Sequence, residues 1–293
     1  MLKFLGWFTL LRIVAVLVQR LPLSIALKAG EGLGLFAYYV IPKRKQIALD
    51  NLKHAFPDKP HSELKHIIRE LGKNLGRYMI EFFRLPLMKP SDFNRYIEFV
   101  GLDNLDRAIS EGKGAFILTA HFGNWDLIAA AMVFKGYPTN LVTKFLRSEL
   151  LNTLWLDYRR RVKINIMYRE GSLRDIVQHL KNNELMGFVL DQNTRREEGV
   201  FVNFFGRPAC TIPSLAALAQ RLGTPVVPGF IIRKKGPYHR IIFEPAIPFQ
   251  KRETTDESIV YNTQVYTDVL ERYIRQYPDH WIWIHRRWKT QPR

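Results

Sequence analysis

The chain has 293 residues, enough for one large domain or two small ones with a sizeable core. Hydrophobic residues make up 47% of the sequence, which excludes general disorder. Lys and Arg number 44 against 27 Asp and Glu, and this formal net charge of +17 indicates an anionic partner such as nucleic acid, an acidic protein or an anionic membrane surface. Cys210 is the only cysteine, which excludes an intrachain disulfide and a thiolate metal cluster.

The N-terminus is apolar in two runs, residues 4–18 and residues 21–42. The first run is shorter than the roughly 20 residues that span a bilayer, and it contains Arg12. We predict a membrane anchor here, in preference to a buried core helix. A cleaved signal peptide is disfavoured because no Ala-x-Ala-like cleavage site follows the apolar run. The basic residues after the first run favour a cytoplasmic position for the bulk of the chain, namely Arg20, Lys28, Lys43, Arg44 and Lys45.

The next segment predicts helices that pack closely. Gly30, Gly32 and Gly34 follow no strand and lack the spacing of either common phosphate-binding loop, so we interpret them as sites of close helix packing or of packing at the membrane. Residues 62–85 form a strongly amphipathic pattern with apolar side chains at three- and four-residue steps, which predicts a helix whose apolar face packs in the core. Pro86 ends it.

From residue 96 onward short apolar runs alternate with helical patterns. Candidate strands cover residues 96–100, 115–120, 140–145, 164–168, 186–190, 226–232 and 240–243. Candidate helices cover residues 104–111, 125–135, 149–162, 172–182, 213–222 and 255–276. This alternation predicts an α/β fold with a mixed, largely parallel sheet of about seven strands covered by helices. With a linker at residues 86–92, we expect an N-terminal membrane-associated helical region, 1–90, and an α/β domain, 91–293.

The strongest candidate for chemistry lies where the run 115–120 ends. His121 follows this predicted strand, and Asn124 is a good helix N-cap that places Asp126 in the first helical turn. Gly123 would let the backbone turn so that the Asp126 carboxylate reaches back to the imidazole. This contact would fix the ring tautomer and leave the other nitrogen to accept a proton from a hydroxyl. A histidine at a strand end is more often structural, so this spacing alone does not establish catalysis.

Polar residues follow the ends of two other predicted strands. Lys144 and Arg147 could hold a phosphate or a developing oxyanion, or they could belong to a solvated basic loop. One arginine of the basic run at 159–161 is expected to face the site, with Arg160 as the candidate. Asp191, which precedes Gln192, is either a second carboxylate that positions an acceptor hydroxyl or a cap of its loop.

Aromatic residues supply the remaining candidates. Phe204 and Phe205 could line a channel for an apolar chain, although core packing is the more common role. The closing segment, residues 281–289, mixes Trp with Arg and Lys, which is the composition of a membrane-interface belt. No recognised DNA- or RNA-binding motif is present, so we do not expect nucleic acid as the partner. The eight histidines show no ligand spacing, and we expect neither a metal nor another cofactor.

These segments, taken in order, resemble the late acyltransferases of lipid A biosynthesis, within the wider lysophospholipid acyltransferase-like superfamily. The resemblance covers nearly the whole chain, and its segments are the apolar N-terminus and residues 44–52, 56–57, 121–126, 187–192, 204–206 and 281–288. It implies transfer of a fatty acyl group from an acyl carrier protein thioester to a hydroxyl of a phosphorylated lipid A precursor. It also implies a bacterial inner-membrane enzyme with its site on the cytoplasmic side, in which His121 is the general base and Asp126 orients it.

The chain departs from the family pattern at two positions. Asp126 stands where many members carry Glu, and Lys144 stands where the family often has Arg. Gly123, Asn124, Gln192 and the other residues named above remain candidates for substrate contact. Two alternatives stay open, an acyltransferase for another glycolipid or a lysophospholipid, and a non-catalytic membrane protein that binds anionic lipid.

Overall fold

The computed structural model describes residues 13–143, 145, 148–168 and 173–292. Within this part the chain opens with a helical segment at residues 13–20, followed by α1 (Leu23–Val40), α2 (Pro42–Ala55) and α3 (His61–Arg84). Pro42 occupies the first turn of α2, where its missing N–H leaves no helical hydrogen bond unmade. The long helix α3 matches the amphipathic pattern predicted for residues 62–85, and its apolar face is buried as expected.

The rest of the chain alternates strands with helices. The strands are β1 (Ile97–Val100), β2 (Ala115–Thr119), β3 (Thr139–Thr143), β4 (Asn165–Tyr168), β5 (Leu185–Val189), β6 (Val200–Phe204), β7 (Arg207–Thr211), β8 (Val226–Lys235) and β9 (Tyr238–Phe243). The helices are α4 (Pro90–Tyr96), α5 (Leu102–Ser110), α6 (Trp125–Phe134), α7 (Glu149–Arg161), α8 (Leu173–Lys181), α9 (Ser214–Leu222) and α10 (Thr255–Gln276).

Seven strands form one sheet in the order β1-β9-β8-β2-β5-β3-β4. Neighbouring strands run parallel except for β8 and β9, which are antiparallel. The prediction of a largely parallel sheet of about seven strands is therefore confirmed. All five residues of the central strand β2 are buried because helices cover both faces. Phe116 and Leu118 of this strand face one apolar core, and Ala115 and Ile117 face the other.

The hairpin β6–β7 was not predicted from the sequence. Its two-residue turn is Phe205-Gly206, and both residues have positive φ, +54° and +75°, as a tight hairpin of this kind requires. Asn-Gly or Asp-Gly is the usual signature of such a turn, and Phe-Gly does not carry that signal.

Four glycines bring α1 and α3 into direct backbone contact. A β-carbon at Gly34 would overlap the carbonyl oxygen of Gly72, and one at Gly76 would overlap the carbonyl oxygen of Gly30. The two helices thus meet along a pair of glycines on each, spaced four residues apart, which we call the glycine seam. The predicted close helix packing is confirmed for Gly30 and Gly34, whereas Gly32 faces open space.

The outer face of α1 carries an exposed apolar surface. Its members are largely unburied side chains on the side away from the glycine seam: Ile25, Leu33, Phe36, Tyr39 and Val40. None of the helices in the described residues is long and apolar enough to cross a membrane. The predicted anchor at residues 4–18 lies mostly outside the described residues. The division at residues 86–92 also stays a prediction, and Leu52 of α2 and Leu71 of α3 share one core with β2 and β5.

The glycine seam predicts opposite effects for two neighbouring substitutions in α1. Gly34→Ala forces α1 and α3 apart and should lower the free energy of unfolding by about 1–3 kcal/mol. Gly32→Ala is the matched control, because a β-carbon there meets nothing within 4 Å. Alanine is the better helix former, so this control should raise the free energy of unfolding by about 0.5–1 kcal/mol. Urea unfolding of the three proteins measures both, and equal midpoints for the two variants would contradict the seam.

Candidate active site

The parallel register of β2 and β5 brings two functional side chains together at one edge of the sheet. Thr119 pairs with Val189 at the ends of these strands, so the residues two positions further on, His121 and Asp191, lie opposite each other. The His121 Nδ1 donates a hydrogen bond to Asp191 Oδ1 over 2.9 Å. This is the carboxyl end of the strands, where ligands bind in open α/β sheets.

Asp191 is fully buried and accepts three hydrogen bonds from residues that the structure describes. Besides the bond to the imidazole, its Oδ2 accepts from the backbone N–H of His121 at 3.1 Å and from the indole Nε1 of Trp281 at 2.8 Å. Because Nδ1 of His121 carries the hydrogen in this arrangement, Nε2 is left with its lone pair. The imidazole is about one quarter exposed, so a substrate can reach that nitrogen.

The predicted contact between Asp126 and His121 is wrong. The fully buried Asp126 carboxylate accepts from the Tyr78 hydroxyl at 2.5 Å and from Arg159 Nε at 2.6 Å. It lies in the first turn of α6 as expected, but this ion pair ties α6 to α3 and α7 instead of orienting the imidazole. Both acids were candidates from the sequence, but Asp191 makes the contact with His121 that was predicted for Asp126.

The loop between His121 and α6 is held by its own hydrogen bonds. Asn124 caps α6 by accepting from Leu127 N at 2.9 Å, as predicted, and its amide donates to the buried Glu81 at 2.8 Å. Gly123 has φ +58°, and its N–H donates to the carbonyl of His280 at 2.9 Å. This N–H and the Asn124 side chain thus already have protein partners, and substrate contact by Gly123 or Asn124 stays a prediction.

The electrostatic surroundings shift the pKa values of both His121 and Asp191. Burial lowers the pKa of His121, but the charge of Asp191, the hydrogen bond to it and the charge of Asp126 together raise the pKa above its ordinary value of 6.5. Burial raises the pKa of Asp191, yet His121 and the hydrogen bonds outweigh this and bring its pKa to about 2. The pair can therefore stabilise an imidazolium that forms during a reaction.

A cavity of about 830 Å³ lies beside His121, between α8 and α9 over β5. This volume is within the range of about 300–1,000 Å³ that is typical of ligand sites. Much of the lining is apolar, from Val142, Ile176, Phe188, Ile212 and Leu218, and Gln192 lies at the His121 end. The Gln192 amide nitrogen is 3.3 Å from both ring nitrogens of His121, so a molecule in the cavity would meet both side chains.

Three other predicted site residues remain to be placed. Lys144 and Arg147 lie outside the described residues. Arg160 is exposed, and Arg159 is the arginine of that run that turns inward, so substrate binding by Arg160 stays a prediction.

Phe204 and Phe205 pack in the core and do not line the cavity. Both are buried, Phe204 against Trp281 and Trp288, and Phe205 against Trp283. The predicted channel-lining role is therefore wrong for both.

The closing segment is not an interface belt. Trp281, Trp283 and Trp288 are all buried, and the backbone N–H of Ile282 donates to the carbonyl of His121 at 3.2 Å. The fully buried Arg287 donates to the carbonyls of Gln192 and Cys210, and burial lowers its pKa to about 10. We name residues 278–291 the closing strap, because they hold the loops that carry His121 and Asp191.

Three residues that support the site were not predicted from the sequence: Tyr78, Glu81 and Trp281. Two signals were available: a tyrosine and a glutamate interrupt the apolar stripe of α3, and buried groups of this kind need hydrogen-bond partners. Glu81 has such partners, since Arg233 donates to both of its oxygens at 2.7 and 2.6 Å. No comparable signal marks Trp281 in the sequence.

The pKa of His121 tests its pairing with Asp191. Asp191→Asn should lower the pKa of His121, because the negative charge that raises this pKa is removed while the lowering effect of burial remains. Glu184→Gln is the matched control, since Glu184 pairs with His179 at 2.8 Å at the opposite end of β5. NMR titration, with His121→Gln to assign the signal, should show the drop in the first variant alone, and an unchanged His121 pKa in Asp191→Asn would refute the pairing.

Comparison with known proteins identifies the family. The family model of bacterial lipid A biosynthesis acyltransferases matches residues 2–290. The chain is 26% identical over 292 residues to the lipid A biosynthesis palmitoleoyltransferase of Escherichia coli (strain K12), covering 99% of this chain and 92% of that protein. It is 26% identical over 294 residues to the lipid A biosynthesis lauroyltransferase of the same strain, covering 98% and 92% of the two chains.

A phosphatidylinositol mannoside acyltransferase of Mycobacterium tuberculosis (strain CDC 1551 / Oshkosh) is 28% identical over 222 residues, or 74% of this chain and 68% of that protein. The relatives thus share acyl transfer but differ in the acceptors that their names state. Because the family model spans almost the entire sequence, the chain belongs to the bacterial lipid A biosynthesis acyltransferase family and is an acyltransferase.

Proposed function

We propose that this enzyme transfers a fatty acyl group from an acyl carrier protein thioester to a hydroxyl of a lipid A precursor, with His121 as the general base. The observation that carries the proposal is the pairing of His121 with Asp191 at the mouth of a largely apolar cavity. The orienting role, first expected of Asp126, falls to Asp191. The net charge of +17 suits both an acidic carrier protein and a phosphorylated lipid.

The chemistry follows from the free nitrogen of the imidazole. His121 Nε2 takes the proton of the acceptor hydroxyl while the hydroxyl oxygen attacks the thioester carbonyl carbon. The resulting imidazolium is stabilised by Asp191 and returns its proton to the sulfur as the carbon–sulfur bond breaks. No covalent acyl-enzyme is needed, because the acceptor itself is the nucleophile. Lys144 and Arg147 remain candidates to stabilise the oxyanion of the tetrahedral intermediate.

The exposed apolar surface of α1 supports a position at a membrane. Large apolar patches on a protein surface commonly mark contacts with a partner or with lipid. Lys43 and Arg44 are exposed just beyond this surface, where they suit anionic headgroups. We place the enzyme at the bacterial inner membrane with its site on the cytoplasmic side.

The acceptor is the point on which the relatives differ. Purified enzyme should be offered a lipid A precursor, a phosphatidylinositol mannoside and a lysophospholipid, each with an acyl carrier protein donor and a coenzyme A donor. We expect the fastest transfer with the lipid A precursor and the carrier protein. Preference for the mannoside would instead assign the acceptor named for the mycobacterial relative. Absence of acyl product with every pair would refute the proposed reaction.

His121→Ala should lower the turnover number by at least about 10²–10⁴-fold, because general-base assistance is lost. Folding and membrane association should stay intact, since the imidazole is partly exposed. His179→Ala is the control at the opposite end of β5 and should leave turnover unchanged. Mass spectrometry of the acylated lipid measures the rates, and near-normal turnover of His121→Ala would exclude this role.

The cavity should set the length of the donor chain. Ser214, Ala217 and Arg221 line it along about 10 Å of α9, so Ala217→Phe would place a ring across its middle. Each methylene that can no longer be buried costs about 0.8 kcal/mol, and the preferred donor should therefore become shorter.

Gln220→Phe adds the same ring to α9 at a position that does not line the cavity, and it is the matched control. Competition between donors of different chain length measures the preference. If Ala217→Phe and Gln220→Phe select the same chain length as the unchanged enzyme, the cavity does not hold the acyl chain.

A further inference from the structure

We propose that Trp281 is a positioning residue for this reaction, because its indole N–H holds the Asp191 carboxylate in the orientation that His121 requires. The inference rests on the proposed function for its catalytic consequence. Trp281 belongs to the closing strap, is completely buried and donates to Asp191 Oδ2 at 2.8 Å.

The two oxygens of Asp191 have different partners. Among the described residues, Oδ2 accepts from two donors, the backbone N–H of His121 and the indole of Trp281, whereas Oδ1 accepts from His121 Nδ1. Two donors on one oxygen fix the rotation of the carboxylate about its terminal bond. This orientation places the other oxygen, Oδ1, within hydrogen-bond distance of His121 Nδ1. The indole therefore helps to keep the hydrogen on Nδ1 and the lone pair on Nε2.

Trp281 is itself held by the loop that carries His121. Its backbone forms a bridge with Phe122, and the next residue, Ile282, donates its N–H to the carbonyl of His121. The indole ring packs edge-to-face on Trp283, with centroids 4.6 Å apart, and on Phe204. The donor to Asp191 and the backbone of His121 are thus parts of one hydrogen-bonded unit, so their relative position is fixed.

The chain offers a matched control in Trp283. This residue lies two positions along the strap, is also completely buried, and donates its indole N–H to the carbonyl of Pro278 at 2.6 Å instead of to Asp191. A purely structural role for these tryptophans predicts similar consequences for Trp281→Phe and Trp283→Phe. A positioning role predicts a difference.

The test uses the full-length enzyme and its acyl thioester donor. Trp281→Phe should lower kcat by about 10- to 100-fold, since one hydrogen bond to a charged group is lost, with little change in KM. Trp283→Phe should lose comparable thermal stability and keep kcat within about threefold. In the Asp191→Asn background, Trp281→Phe should have little further effect on kcat, because coupled residues are not additive. Equal losses of kcat in the two tryptophan variants, or full additivity with Asp191→Asn, would overturn the proposal.

A spectroscopic measurement separates this inference from the proposed function. In ¹⁵N spectra of neutral His121, Trp281→Phe should raise the share of the tautomer with hydrogen on Nε2, and Trp283→Phe should not. If the wild-type enzyme transfers no acyl group, the proposed function fails, yet this tautomer shift still supports or refutes the positioning by Trp281. Should Trp281→Phe fail to fold, benzothienylalanine at 281 keeps the ring and removes only the N–H, and an unchanged His121 tautomer would then refute the inference.

Discussion

The register between β2 and β5 is the constraint on which the site depends. His121 and Asp191 are 70 positions apart, and they meet because two parallel strands begin and end level with one another. A shift of β5 by one residue would turn Asp191 to the other face of the sheet. The buried side chains of both strands resist such a shift, since it would remove Met186 and Phe188 from the core that they share with Phe116 and Leu118. The apolar core therefore fixes the geometry of the polar pair.

The two buried carboxylates of Asp126 and Asp191 have different hydrogen-bond partners, and their charges therefore act on the imidazole of His121 to different extents. The charge of Asp126 is balanced in direct contact by Arg159, and removing one member of such a buried pair typically costs about 3–5 kcal/mol. In the part of the chain that the structure describes, the hydrogen bonds to Asp191 come from His121 and Trp281, and none comes from a lysine or an arginine. Its negative charge is available to the imidazole, which is what stabilisation of an imidazolium requires.

The fold was predictable because its signals are local. Each strand of the seven-stranded sheet matches an apolar run bounded by turn residues, and the cap at Asn124 follows from its side chain alone. The partner of His121 was not predictable from local spacing. The nearby Asp126 fitted the expected distance along the chain, while the choice of Asp191 depends on strand order, which the sequence pattern does not encode. Composition also failed to predict the burial of Trp281, because buried tryptophans and tryptophans at a membrane interface can have the same neighbours in sequence.

Helix α3 links the N-terminal helices to the site through two different faces. Gly72 and Gly76 on one face form the glycine seam with α1, and Tyr78 and Glu81 one turn later contact Asp126 and Asn124. Backbone contact and the ion pair between Arg77 and Glu31 hold α1 against α3, and buried hydrogen bonds to charged groups resist sliding between α3 and α6. The exposed apolar surface of α1 is consequently held at a fixed position relative to His121. For an enzyme proposed to take its acceptor from a membrane, this rigidity would set the depth at which the imidazole meets the lipid hydroxyl.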